Sequence, residues 1–260
     1  MKITEYAIGS HKIKGNISAA LVTDLHGRCS REVLRVLRSM TPDVILLAGD
    51  ILEVSNEYMQ KRNENSFEFL KEAVKIAPIY YCFGNHELYY SHAAKMENRV
   101  SNPIMLKENI EKIKALGVNL INDSYAEIDG SMLVGGVVCG YDKLPSDKNT
   151  DLDLEFIDNF SKNTGFKILL CHYPHYYEKY LKDIDVDLIV SGHAHGGQWR
   201  IFNRGVYAPH QGLFPKYTAG IHDGKLIIST GAVNNSRPIP RFFNPTEIVK
   251  INIFEKEEML

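Results

Sequence analysis

Short, unbroken apolar runs alternate with segments of helical spacing through the first half of the chain. Ile17–Thr23 and Val44–Ala48 are apolar along their length, so each is expected to be a buried strand. Between them Val33, Leu34, Leu37 and Met40 fall at helical spacing within Ser30–Met40, and Thr41-Pro42 stops that helix. Phe67, Leu70 and Val74 mark a second helix ahead of a strand at Ile79–Phe83. Ile110, Ile113 and Leu116 mark a third, closed by Gly117.

From Val118 the texture turns to strands: Val118–Ile121, Tyr125–Ile128 and Met132–Val138, linked by short turns such as Asp129-Gly130. A helix near Leu154–Ser161, a strand at Lys167–Leu170, a Tyr-rich helix near His175–Leu181 and a strand at Leu188–Val190 restore the alternation. The remaining segments, Gln198–Phe202, Gly205–Tyr207, Lys225–Ser229 and Ile248–Ile253, again read as β. The expectation is a mixed α/β fold in which two sheets pack together and are flanked by helices, as one domain over residues 1–260. No internal repeat, low-complexity tract or Pro/Gly/Ser linker divides the chain.

Composition narrows the function classes. The chain is 44% hydrophobic and 10% aromatic, enough for a substantial core. Thirty Lys and Arg against 32 Asp and Glu leave a net charge of −2, which disfavours nucleic acid and an anionic membrane as partners on electrostatic grounds. Cys29, Cys82, Cys139 and Cys171 are scattered without a CxxC spacing and are expected to be reduced and mostly buried. The N-terminal residues lack an apolar core of signal-peptide length, and no run of about 18 apolar residues occurs anywhere. A cytoplasmic protein without a transmembrane segment is expected.

Polar clusters follow the buried strands one after another. Asp24-Leu-His26, Gly49-Asp50, Gly84-Asn85-His86-Glu87, Cys171-His172 and Gly192-His193-Ala-His195 each stand at a predicted strand's carboxyl end. Ligand sites in α/β sheets lie outside those ends, so five clusters point to one crevice. The residue types are Asp24, His26, Asp50, Asn85, His172, His193 and His195. Together they make a mixed nitrogen and oxygen set without thiolate, suited to two first-row ions rather than one structural zinc. Two ions about 3.5–4 Å apart can share a hydroxide and grip a phosphate. An alternating pair such as His193 and His195 points both rings to one side, as if toward a single ion.

This order of motifs (DxH, GD, GNHE, a lone His after an apolar strand, GHxHGG) resembles the calcineurin-like metallophosphoesterase superfamily from Asp24 to His195. The resemblance implies a four-layer sandwich of two mixed β-sheets between helices. It implies Asp24, His26 and His195 on one ion, Asn85, His172 and His193 on the other, and Asp50 bridging, which separates the two alternating histidines. It further implies that His86 contacts the phosphate and assists the leaving group. The ions would be divalent or mixed-valence: Mn, Fe, Zn or Co. Where the family pattern reads GDxxD, this chain has Glu53, expected to change hydrogen bonding around the ligands rather than to remove a metal.

GHxHGGQ, together with Pro240-Arg241-Phe242-Phe243-Asn244-Pro245-Thr246-Glu247-Ile248, is similar to a bacterial branch of that superfamily. Many of its members act on phosphodiesters or on lipid-linked nucleotide sugars. The implied function is hydrolysis of phosphodiester or pyrophosphate bonds in a small-molecule phosphoester through a metal-bridging hydroxide. Arg28 and Arg241 are candidates for bidentate phosphate contacts, and His210, in a loop expected just past the metals, is a candidate substrate contact. His11, His92, His175 and His222 read as surface or hydrogen-bonded residues, and Tyr173, Tyr176, Tyr177 and Tyr180 as packing. The polar stretch Asn56–Glu68 is expected to rim the crevice, and Lys95–Glu108 to be a solvated face or loop. Two rival readings are a non-catalytic protein-binding scaffold and a peripheral membrane enzyme. The second requires Leu213, Phe214, Phe242 and Phe243 to be exposed.

Overall fold

The computed structural model describes residues 1–28, 30–53, 61–87, 107–128, 130–139, 152–233 and 240–256. Cys29, His92, Asp129, residues 54–60 of the expected crevice rim and residues 95–106 of the second polar stretch lie outside them. The first strands are β1 (Lys2–Ser10), β2 (Asn16–Val22), β3 (Val44–Ala48), β4 (Ile79–Cys82) and β5 (Asn119–Leu120). Next come β6 (Ser124–Ile128), β7 (Met132–Val137), β8 (Phe166–Cys171) and β9 (Leu188–Ser191). Four two-residue strands follow: β10 (Arg200–Ile201), β11 (Arg204–Gly205), β12 (Tyr207–Ala208) and β13 (Gly212–Leu213). The last are β14 (Gly220–His222), β15 (Leu226–Ile228) and β16 (Glu247–Glu255).

Two six-stranded sheets result, with orders β1-β16-β2-β3-β4-β5 and β14-β15-β9-β8-β7-β6. Both are mixed. In the first, β16 runs parallel to β1 but antiparallel to β2, and the remaining pairs are parallel. In the second, β14–β15 and β6–β7 are antiparallel around a parallel centre. Alternation along β8 shows how the sheets stack. Phe166, Ile168 and Leu170 join the core shared with β2, β3 and β4, whereas Leu169 and Cys171 face an outer cluster.

Helices cover the outer faces, completing the four layers. Helix α1 (Arg31–Met40) buries Val33, Leu34, Val36, Leu37 and Met40 in the core it shares with the first sheet, and α2 (Asn63–Ala73) adds Phe67, Phe69 and Leu70. Thr41, at φ 43°, ends α1 by returning its N–H to Leu37 O ahead of Pro42. Helix α3 (Lys107–Ala115) buries Ile113, with Gly117 just beyond at φ 86°. On the second sheet, α4 (Leu154–Ser161) starts where the Asp153 side chain accepts from Phe156 N–H. It packs Ile157 and Phe160 among Tyr173, Tyr176 and Tyr177.

Three elements differ from expectation. Lys2–Ser10, which carries no strong strand pattern, is an edge strand of half-buried and exposed residues. The Tyr-rich segment forms one π-helical stretch, Tyr177–Leu181, rather than a full α-helix. The expected strand at Gln198–Phe202 is shortened to β10 (Arg200–Ile201), which follows a 3-10 turn (His195–Gly197) and opens two tiny hairpins. Cys82, Cys139 and Cys171 are buried free thiols. No helix among the described residues is long and apolar enough to cross a membrane.

Candidate metal centre

The loops leaving β2 and β3 run side by side. Asp24 N–H donates to Gly49 O at 3.1 Å, His26 N–H to Asp50 O at 2.9 Å, and Gly27 N–H to Ile51 O at 3.1 Å. Asp24, His26, Asp50, His193 and His195 all adopt positive φ, between 46° and 65°. Such a conformation costs roughly 1–3 kcal/mol per non-glycine residue, so its concentration here marks a functional site. Gly49, at φ 89°, lets the strand ends close up: a β-carbon there would lie 2.5 Å from His172 Nδ1 and 2.7 Å from Gly84 Cα.

Three groups of metal-capable side chains converge among the described residues, one of them His26, Glu53 and His86. In the first of the other two, His195 Nε2 lies 3.5 Å from Asp24 Oδ1 and 3.4 Å from His26 Nε2. In the second, Asp50, His172 and His193 bring their donor atoms within 4.8 Å of one another. Asp50 Oδ2 stands between these two, 3.1 Å from His172 Nε2 and 3.8 Å from His26 Nε2. His193 and His195, although one residue apart, therefore fall in different groups.

The donor set fits cations. His172 gives its Nδ1–H to Ala48 O at 2.7 Å, which leaves the Nε2 lone pair facing the Asp50 carboxylate. Two electron-rich atoms at that separation need a proton or a metal between them. When a proton takes that place, burial works against the charge, but Asp50 pushes the His172 pKa up to about 10. Burial likewise raises Asp50, yet His172 and His86 hold it well below the usual carboxylate range. Asn85 Oδ1 is buried without a hydrogen-bond partner. Burial and the neighbouring His26 and Arg241 bring His195 down to about 3, which keeps its ring neutral for a cation.

Glu53, expected from its motif position to act in hydrogen bonding around the ligands, and Glu87, whose role does not show in the motif spacing, hold this arrangement. Glu53 is fully buried and accepts from His26 Nδ1 at 2.7 Å with one oxygen and from His86 Nδ1 at 2.8 Å with the other. Burial opposes its charge, but those two imidazoles hold its pKa at about 2. His86 also donates its backbone N–H to Asp50 Oδ1 at 2.9 Å. Burial lowers its pKa, but Asp50 and Glu53 together push it up to about 9. The carboxylate of Glu87 accepts from the N–H groups of Gly84, Asp50, Ile51 and Leu52 and from the Tyr81 hydroxyl, at 2.5–3.0 Å. It ties the loops after β3 and β4 together.

Around the cluster, the Arg241 guanidinium places Nη2 3.2 Å from His195 Nδ1 and 2.8 Å from Val233 O. Its Nε and Nη1 are buried without hydrogen-bond partners. His210 Nδ1 lies 3.1 Å from His193 Nε2, and the two rings stack at 5.2 Å. His175, read from sequence as a bland residue, packs against His210 with ring centres 5.2 Å apart. Arg28, half-buried, follows His26 in the turn closed by its N–H to Leu25 O. Asn244 secures the histidine loop by donating to His195 O at 2.7 Å and to Gln198 O at 3.1 Å.

The calcineurin-like phosphoesterase family model matches residues 17–197, which include the converging Asp24, His26, Asp50, His172, His193 and His195. The chain belongs to this family. An Aquifex aeolicus metallophosphoesterase is 24% identical over 97% of this chain and 92% of its own length. A Campylobacter jejuni metallophosphoesterase, Cj0846, is 27% identical over 94% of this chain and 61% of its own. A Caenorhabditis elegans protein, F40B5.2, is 25% identical over 92% of this chain. The chain spans about half of that relative's length, 48%. Calcineurin-like phosphoesterase membership implies divalent metal ions, and the Asp/His groups are able to hold them.

Proposed function

We propose that this calcineurin-like phosphoesterase hydrolyses phosphodiester or pyrophosphate bonds of small molecules at a centre for two metal ions. The observation that carries the reading is Asp50 Oδ2, set between His172 Nε2 at 3.1 Å and His26 Nε2 at 3.8 Å, with a side-chain group on either side. Asp24, His26 and His195 would hold one ion, Asn85, His172 and His193 the other, and Asp50 both. When bound, such ions supply Lewis-acid polarisation of phosphoryl oxygens and a water made nucleophilic at neutral pH. Mn, Fe, Zn and Co all suit the nitrogen and oxygen donors.

The chain's own residues supply the rest. His86 is held at Nδ1 by Glu53, whose carboxylate and that of Asp50 push its pKa up against burial, favouring the proton-donating form. Its Nε2–H donates to the leaving oxygen, a contribution worth roughly 10²–10⁴-fold in rate. Arg241, with Nη2 3.2 Å from His195 Nδ1 and two further nitrogens buried and unpartnered, would contact the phosphate, as would Arg28 and His210. Preference for diesters and pyrophosphates is supported by the GHxHGGQ and Pro-Arg-aromatic segments. Hydrolysis of bis-p-nitrophenyl phosphate with added Mn²⁺ tests the reading, comparing wild type with His86→Ala and Asp50→Ala. Activity that both substitutions abolish supports it. No hydrolysis by metal-saturated wild type with any divalent ion overturns it.

A further inference from the structure

Among the described residues, the three most exposed large apolar side chains are phenylalanines held at positive φ. They are Phe202 (98% exposed, φ 48°), Phe243 (89%, φ 52°) and Phe214 (72%, φ 52°). Bulky residues are disfavoured in the left-handed region, where glycine and asparagine sit at ease. Aromatic rings are also disfavoured in water. Three turns thus combine two unfavourable choices, and each projects a ring away from the protein. Asn203, beside Phe202 at φ 64°, shows the residue type such a turn ordinarily takes.

The three tips are neighbours. Phe202, Ile201, Arg204 and Phe214 wall a surface cleft of about 480 Å³. Asn203 and Phe243 share an adjoining cleft of about 310 Å³. Leu213, also exposed, precedes Phe214, and Trp199 bridges to Phe242. No acidic residue occurs in 199–220 or 240–246, although the whole chain carries −2. Arg200, Arg204 and Lys216 do occur there, whereas Arg241 is turned inward beside His195. Lys216 is matched by Glu178 at 2.9 Å, whereas Arg204 is exposed beside Phe202.

We propose that this rim docks on an anionic lipid bilayer, with Phe202, Phe214 and Phe243 entering the interfacial layer. The rings stand at the edges of two surface clefts, and a bilayer receives such protrusions without shape matching. Aromatic tips among cationic residues suit the headgroup region. The rim borders the metal centre, because His210 and Asn244 on the same segments contact His193 and His195. The inference does not depend on the phosphoesterase reading.

Co-sedimentation tests it, with vesicles of phosphatidylcholine alone and of phosphatidylcholine mixed with phosphatidylglycerol. Wild type is expected to sediment with the anionic vesicles and to be released by salt. The triple variant Phe202→Asn, Phe214→Asn, Phe243→Asn should bind at least about tenfold more weakly. Its Tm should be equal or higher, because asparagine tolerates positive φ. Phe202→Asn alone serves the same purpose if the triple variant does not fold. Unchanged hydrolysis of a soluble phosphodiester by the variants would report an intact metal centre, separating loss of docking from loss of activity. Wild type that ignores anionic vesicles, or variants that bind as wild type does, would overturn the proposal. So would a wild-type dimer in sedimentation velocity that the variants dissolve, without vesicle binding.

Discussion

The carboxylate of Glu53 lies 2.7 Å from His26 Nδ1, so the imidazole presents its Nε2 to Asp24, Asp50 and His195. The second oxygen holds His86 in the same way. Glu53→Gln leaves one of the two imidazoles facing an amide N–H₂ instead of an oxygen. Losing such an outer partner typically costs about 10–100-fold in metal affinity or activity. Metal titration and steady-state kinetics of Glu53→Gln should both show that loss. Wild-type values in both would mean the carboxylate is dispensable.

Glu87 is a structural counterpart. Removing its carboxylate strands four backbone N–H groups and the Tyr81 hydroxyl in a buried loop junction. Each buried unsatisfied group costs about 1–3 kcal/mol. Glu87→Ala is therefore expected to lower unfolding stability by more than about 3 kcal/mol in urea titration. A shift below about 1 kcal/mol would show that water replaces the carboxylate.

His193 and His195 should separate in their effects. His195→Ala removes a donor from the Asp24 and His26 group, and His193→Ala one from the Asp50 and His172 group. Each variant, loaded with Mn²⁺, is expected to lose the spin-coupled signal of an ion pair and to retain a single ion. Anomalous scattering should locate that ion on opposite sides of Asp50 in the two variants. The same residual position in both would contradict the grouping.

Arg241 should affect substrate binding more than metal content. Its Nη2 lies 3.2 Å from His195 Nδ1, and its Nε and Nη1 are buried and unpartnered, so a bound phosphate is proposed to engage this guanidinium. Arg241→Lys keeps the charge but loses the planar fork. It is expected to raise KM for bis-p-nitrophenyl phosphate by about tenfold, with two ions still bound. An unchanged KM would assign Arg241 to holding Val233 and His195 alone.

The sequence shows where its parts act locally and hides where distant parts meet. The buried strands Ile17–Thr23 and Val44–Ala48 and helix Leu154–Ser161 were legible within a residue or so, because burial on two faces or one stripe writes a simple pattern. The edge strand Lys2–Ser10 was not, because an exposed edge is free to mix polar residues with apolar ones. The chemistry-bearing side chains follow strands, so their convergence could be anticipated from topology. Glu87 could not be, because its partners are backbone N–H groups that no residue type announces. The reach of Glu53 across two histidines, and the left-handed conformations of Asp24, Asp50 and His195, likewise arise only when loops from distant strands lock together.

Strand β16 occupies the place between β1 and β2 in the first sheet. During synthesis, β1 and β2 leave the ribosome early with that place vacant, and Glu247–Glu255 must emerge before it is filled. The loop bearing Asp24 and His26 hangs from β2, so the strand that closes the sheet beside this half of the ion-holding crevice is drawn from the far end of the described chain.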